Sequence, residues 1–185
     1  MWGTIMKIIT NFRIFGKDFD FAFRIAPEKI QRIDGITNIT EDGKWIIFMD
    51  FDGFKIEWLD FIVPHIQKLY GLSDAYVFQS SNDGFHVITF DKLTINKLVD
   101  VLKSSSTDPN YVFVPLRYGK RVWSLRASAK NGEKPKYLKS YKHKGRHIRS
   151  LAHMIIFEKI YGIKVDKSNN DGLKNHIVIC DYYVT

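Results

Sequence analysis

The sequence predicts an α+β fold built on a mixed or antiparallel sheet, and three observations carry that expectation. Between residues 45 and 128, strand-like and helix-like segments follow in the order β-α-β-β-α-β. That is the order of a split βαβ sheet with helices on one face. Hydrophobic residues make up 45% and aromatic residues 15% of the 185, ample for a core. Finally, there is no internal repeat, low-complexity tract or Pro/Gly/Ser linker, so residues 1–185 are expected to form a single domain.

Residues 5–14, rich in Ile and Phe, read as a strand, and residues 20–25 as a shorter one. They are expected to open an N-terminal α/β extension. Trp45-Ile46-Ile47-Phe48-Met49-Asp50-Phe51-Asp52 is a short apolar run ending in carboxylates. Its length and β-branched content predict a buried strand, ended by Gly53. Residues 56–70 place Ile56, Leu59, Ile62, Val63, Ile66 and Leu69 at helical spacing, despite Pro64 in the interior. Residues 75–80 and 85–90 read as strands around the turn Ser81-Asn82-Asp83-Gly84. Residues 93–103 read as a helix with Leu93, Leu98, Val101 and Leu102 on one side. The polar stretch from Lys103 to Asn110 reads as a loop. Residues 111–117 and 120–128 are expected to form a hairpin around Gly119. A polar, basic stretch at 130–146 leads to a helix over 147–161, closed by Gly162. Residues 176–184 read as a last strand, with Ile177, Ile179 and Tyr183 alternating.

Net charge is +8, but it is unevenly spread. Residues 1–116 carry 12 basic and 15 acidic side chains, whereas residues 117–149 carry 12 basic and one acidic. Such a block is the electrostatic footprint of a polyanion partner, or else a solvated lysine-rich surface. Cys180 is the only cysteine. It excludes an internal disulfide and a cysteine-based zinc site, and suits a reducing, cytoplasmic compartment. His143, His147 and His153 have no cysteine partners; the first two read as part of the basic surface. No apolar stretch reaches the roughly 20 residues of a membrane helix, and the N-terminus lacks the features of a signal peptide.

Three segments carry candidate chemistry. Alternate residues of a strand share a face, so Asp50 and Asp52 point one way and Met49 and Phe51 the other. Two adjacent carboxylates repel each other, and Mg²⁺ or Mn²⁺ relieves that repulsion; two solvated acids at a strand end are the plainer reading. Next, Ser80-Ser81-Asn82-Asp83-Gly84-Phe85-His86 is a polar turn feeding a strand. Gly84 permits close backbone approach, and hydroxyls with backbone amides can cradle phosphate. Last, Ser124, Arg126 and Ser128 share a strand face, with Lys130 beside it, and such cations match phosphate oxygens.

In order, these segments resemble the motifs of the archaeo-eukaryotic primase superfamily. Asp50-Phe51-Asp52 resembles its apolar-Asp-x-Asp motif, Ser80 to His86 its Ser-…-Gly-x-His motif, and Arg121 to Lys130 its late Arg-rich strand. The resemblance covers about residues 45–130. It implies an RRM-like (split βαβ) catalytic core that makes primers on a single-stranded DNA template. Asp50 and Asp52 would bind two divalent ions, which serve the primer hydroxyl and the departing pyrophosphate. His86, with Ser80, Ser81 and Gly84, would meet the phosphates of an incoming NTP or dNTP, and Arg126 and Lys130 would offset their charge. The basic positions Arg117, Lys120, Arg121, Lys134, Lys136, Lys139, Lys142, Arg146 and Arg149 would contact nucleic acid. Trp123, Tyr137 and Tyr141 would offer rings for base stacking. A helicase or another replication protein is an implied partner, and plasmid or virus replication a fitting setting.

The sequence departs from the family at one point. The third carboxylate should lie in the stretch 111–117, which has no acid; Asp108 and Asp181 are the candidates to replace it. That departure keeps open a non-catalytic accessory subunit that binds single-stranded DNA or nucleotide. A two-carboxylate nuclease is a third reading. A rolling-circle initiator fits poorly, because Phe85-His86-Val87 holds one histidine rather than two.

Overall fold

The structure is a computed structural model and describes the backbone of residues 6–14, 17–25, 31–130, 132–172 and 179–184, with side chains for 34–130 and 132–172. The chain divides into two compact units, residues 1–32 with 182–185, and residues 33–181. In the first, β1 (Met6–Ile14) and β2 (Lys17–Ile25) form an antiparallel hairpin in which Met6 pairs with Ile25 and Ile14 with Lys17. The expected α/β extension is thus all β among the described residues: β1, β2 and β3 (Gln31–Thr37) precede the core with no helix between them.

The second unit is α+β. Its main sheet is built from β4 (Trp45–Asp52), β5 (Ala75–Gln79), β6 (Gly84–Leu93) and β8 (Lys136–Tyr141), in the spatial order β4-β6-β5-β8. Every neighbouring pair is antiparallel. Helix α1 (Ile56–Tyr70) connects β4 to β5, and β6 inserts between them. This β-α-β unit with a strand inserted is a split βαβ arrangement, but the expected β-α-β-β-α-β order fails at its last element: residues 109–117 are helical, and the fourth strand of the sheet is β8.

Helix α1 forms because Leu59, Val63 and Ile66 bury one face, and Gly71 ends it in the left-handed region that glycine tolerates. Pro64 sits on its exposed side. The odd-numbered residues Ile47, Met49 and Phe51 of β4 pack with Val77 and Val87 under α1, under α2 (Ile95–Ser104) and under Val112. The even-numbered residues Ile46 and Phe48 pack with Tyr76, Phe78, Ile88 and Phe90 on the other face. That face is covered by Met154 and Phe157 of α4 (Leu151–Tyr161), and by Ile36 and Leu125 from a second sheet. The expectation of helices on one face is therefore corrected: both faces are closed, which is why β6 is buried along its whole length.

The second sheet has the order β7-β3-β9, where β7 is Ser124–Arg126 and β9 is Ile179–Val184. Of the expected last strand over 176–184, Ile179–Val184 is described as β9; residues 173–178 lie outside the described residues. Asn38 ties this sheet to the main one. Its backbone accepts from Ile46 and donates to Trp123, while its side chain accepts from the Trp123 N–H and donates to the Ile46 carbonyl.

The expected hairpin at 111–128 is not formed. Residues 109–117 make helix α3 (Pro109–Arg117), and only Ser124–Arg126 is strand. The cause is a start signal inside the supposed loop. Asp108 caps the helix by accepting from the Asn110 N–H at 3.0 Å, and Pro109 takes the first helical turn. The basic stretch at 130–146, in turn, contains β8, the edge strand of the main sheet. Helix α4 starts at Leu151 rather than 147, because Arg149 and Ser150 still donate their N–H groups to Asn169 and Phe90.

Candidate functional site

The strand register brings the first two predicted segments face to face. Asp50 lies opposite His86 and Asp52 opposite Gly84. Both acids and His86 stand on the face that carries Phe48 and Ile88, at the end of the sheet where the apolar filling stops. The turn before Gly84 closes back on them. Ser80 and Ser81 both donate their backbone N–H to the Gly84 carbonyl, at 2.9 and 3.4 Å. A Cβ on Gly84 would lie 2.5 Å from Ser81 Oγ, 2.8 Å from Ser80 Oγ and 3.1 Å from Asp52 Oδ1. Any side chain here would have to push them aside: both hydroxyls and the Asp52 carboxylate crowd one Cα.

Strand β7 brings the third segment. Arg126 donates to the backbone carbonyl of Ser80 and, at 2.8 Å, to that of Glu133. Its charge acts on both Asp50 and His86, and the charge of Lys130 acts on Asp52. Arg126 thus clamps the 80–84 turn to the 128–133 loop. Its guanidinium is largely committed to carbonyls, and is less free for phosphate than the sequence suggests.

Electrostatics mark the acids as frustrated. Burial pushes the Asp50 carboxyl up to about 7, aided by the charges of Asp52 and Asp108 and opposed by Arg126. Burial also raises Asp52, with Asp108 and Asp83 adding to it. Asp50 Oδ1 is buried and has no hydrogen-bond partner. His86 Nε2 lies 3.6 Å from it. That contact is not an ion pair. Burial, then Arg126, holds His86 down to about 3, so the imidazole is neutral while Asp50 is near half-ionised at neutral pH.

Asp108 is the acid that joins the site from outside the motifs. Its backbone N–H donates to the Asp50 carbonyl at 2.8 Å, which fixes the start of α3 against the end of β4. Asp83, in the turn, also acts on Asp52, a contribution to which the motifs alone assign no residue; its place beside Gly84 is the signal for it. The Asp181 side chain lies outside the described residues. Among the described residues, no three His, Cys, Asp or Glu side chains are arranged to hold a metal ion.

Other predicted residues distribute unevenly. His86 is only 6% exposed, so it underlies Asp50 rather than presenting an open face to phosphate. Lys134 and Lys136 line a pocket of about 280 Å³ with Gln79, Ser80, Ser81, Asn82 and Glu133. Arg117, Lys120 and Arg121 are exposed between α3 and β7. Lys139 pairs with Asp60, and Lys142 with Asp74 at 2.7 Å. Arg146 is exposed and its side chain packs over Gly71. Arg149 corrects the expected basic surface: it is 3% exposed and bonds Ser168 and Asp166. Trp123 is corrected likewise, being 1% exposed, with its Nε1–H donated to the Tyr111 carbonyl. Tyr137 packs on Phe78 and Tyr141 donates to Asp60. Among the described residues no helix is long and apolar enough to cross a membrane.

No family model, curated protein or solved structure matches the chain.

Proposed function

We propose that this chain is a primase-type nucleotidyl transferase core, RRM-like in its split βαβ half, which extends a strand on a single-stranded DNA template from NTPs or dNTPs. The observation that carries the reading is the pairing of Asp50 and Asp52 with the Ser80–His86 turn across adjacent strands. Two segments 34 residues apart that resemble successive family motifs meet at one sheet end. What favours a hard divalent cation is the pair Asp50 and Asp52 with an unpartnered buried oxygen on Asp50; the charge of Asp108 acts on both acids, although the three side chains do not form a ready cluster. Asp50 and Asp52 would hold Mg²⁺ or Mn²⁺, with Asp108 as the third acid. The bound ions would supply charge neutralisation at the attacking hydroxyl and the departing pyrophosphate.

The chain's own residues divide the remaining work. Ser80, Ser81 and the tight backbone at Gly84 form the cradle for the triphosphate, with Lys130 beside it. Arg126 positions that cradle, and neutral His86 packs beneath Asp50 without competing for its charge. Lys134 and Lys136 receive the template backbone. A helicase or similar replication protein would supply single strand.

One observation favours the accessory reading, a protein that binds single-stranded DNA or nucleotide without chemistry. Arg126 is spent on carbonyls rather than aimed at open space. A single assay separates the two. Protein, single-stranded template, labelled NTPs or dNTPs and Mn²⁺ or Mg²⁺ should give product that an Asp50→Ala, Asp52→Ala variant does not. DNA binding without product under either metal would leave only the accessory reading.

A further inference from the structure

Helix α1 is apolar on two sides. Leu59, Val63 and Ile66 are buried against the main sheet. On the outer side, Trp58, Phe61 and Leu69 are 49, 77 and 55% exposed. Spacings of three, four and four residues align Trp58, Phe61, His65 and Leu69 in one stripe, and His65 is exposed as well. The outer side of a surface helix is ordinarily polar, and a helix that is apolar all round is a buried one. A second apolar stripe therefore marks a face that something covers.

The stripe has shape as well as composition. Phe54 meets the Trp58 ring edge-on, with centroids 5.4 Å apart, and so sets the orientation of the indole. Between α1 and the turn after α2, an open pocket of about 390 Å³ indents the same side, lined by Phe61, Ile62, His65, Ile66, Ser104 and Ser106. Phe113 and Val114 of α3 are exposed too, but Lys103 Nζ lies 5.9 Å over the Phe113 ring and places a charge there.

Charge decides what covers the stripe. Glu57 and Lys68 are exposed on one flank of it, at opposite ends of the helix. Among the described residues neither has an ion-pair partner, whereas Asp60 is already taken by Lys139 and Tyr141. A second copy of the helix can be laid antiparallel on the first, about a two-fold axis near Val63. That sets Trp58 opposite the partner's Leu69 and Phe61 opposite the partner's His65. Such an axis keeps both charged flanks on one side, so Glu57 meets the partner's Lys68 twice over. A parallel pair separates the flanks and forms neither contact. A two-fold pair is also closed, so it stops at two copies.

The area agrees. Trp58, Phe61 and Leu69 together offer on the order of 400 Å² per copy, taking about 150–250 Å² for a whole aromatic side chain. That falls within the roughly 300–600 Å² of apolar patches that are often functional. With a polar rim, two such faces reach about 1,200 Å², the low end of specific interfaces, which suits a reversible, micromolar pair.

We propose that the outer face of α1 is a homodimer interface, in which Trp58, Phe61, His65 and Leu69 pack antiparallel on a second copy and Glu57 and Lys68 cross between the copies. Asp50, Asp52 and His86 stand on the opposite face of the main sheet, so pairing leaves each site open. The proposal does not depend on the nucleotidyl transfer reading.

Sedimentation of the full chain from about 1 to about 200 μM tests it, a range that brackets a micromolar Kd. The parent should pass reversibly from monomer to dimer. Phe61→Asp should stay monomeric throughout, while Phe113→Ser, and Asp50→Asn with Asp52→Asn, should pair as the parent does. Glu57→Lys and Lys68→Glu each set like charges at both contacts and should weaken the dimer about tenfold. Mixing those two variants should restore it, because the mixed pair regains both ion pairs. The mixture also controls for folding, since a damaged chain does not recover on mixing. A parent still monomeric at about 200 μM would overturn the proposal. So would a dimer that survives Phe61→Asp, or a mixture that pairs no better than its components.

Discussion

Asp50 and His86 face each other yet titrate in opposed directions, and this sets the pH behaviour of the site. Asp50 is raised from 3.8 to about 7, so between those values the folded chain keeps a proton that the unfolded chain has released. Stability is therefore lost as pH rises through that window. His86 is lowered from 6.5 to about 3, so the unfolded chain gains a proton that the folded chain refuses. Its contribution is present above about 6.5 and lost as pH falls towards 3. The two slopes oppose each other between about pH 4 and 6.5. In chelator-treated protein, Asp50→Asn should remove the first slope alone. Its Tm should then climb with pH more steeply than that of the parent across pH 4–6.5. At pH 8 the variant should be the more stable by about 1–3 kcal/mol, since it buries no repelled charge. Melting curves across pH check this, and parallel curves would show that Asp50 is not the frustrated group. Mn²⁺ at pH 8 should raise the Tm of the parent and not of the variant. The alternation Asp-Phe-Asp was enough to pair these carboxylates on one face; their partner His86 and its neutrality depend on register and burial.

Helix α3 is the element whose misreading matters most. Val112, Val114 and Leu116 alternate as a strand would, but Asp108 and Pro109 nucleate a helix, and only Val112 is buried. The same Asp108 that starts the helix is bonded to the end of β4, so element and site are joined through one residue. Its two roles can be separated. Asp108→Asn keeps an oxygen to accept from the Asn110 N–H and should change stability by less than about 0.5 kcal/mol, whereas Asp108→Ala should cost about 1 kcal/mol. If Asp108 is the third acid, Asp108→Asn should still cut metal-dependent nucleotide incorporation by about 100-fold. Full activity in that variant would mean that the third acid lies elsewhere. The cap was legible in the sequence as Asp-Pro; that it closes on Asp50 was not, because residues 50 and 108 meet only through the sheet.

Across the whole chain, charge is concentrated in residues 117–149, yet folding spends part of it internally on Asp60, Asp74 and Asp166. Single-stranded DNA affinity should fall with salt, and replacing Lys134 and Lys136 with Ala should lessen the log–log slope by roughly 1.4, about 0.7 for each lost phosphate contact. Arg149→Ala should leave that slope alone and instead lower stability by about 3 kcal/mol, because its bonds are buried and local. Salt-dependent binding isotherms and melts distinguish these outcomes; a changed slope in Arg149→Ala would put that residue on the nucleic-acid surface. The sequence by itself determined the α+β class, the β4-α1-β5-β6 part of the expected order, the shared face of Asp50 and Asp52, and the location of the basic block, because each follows from local periodicity, turn chemistry or composition. Tertiary structure alone decided which cations stay at the surface, that α4 and β3 close the second sheet face, that His86 lies buried beneath Asp50, and that Asp108 approaches it. Those outcomes depend on contacts between residues tens of positions apart, and local pattern carries no record of which distant surface will cover a given side chain.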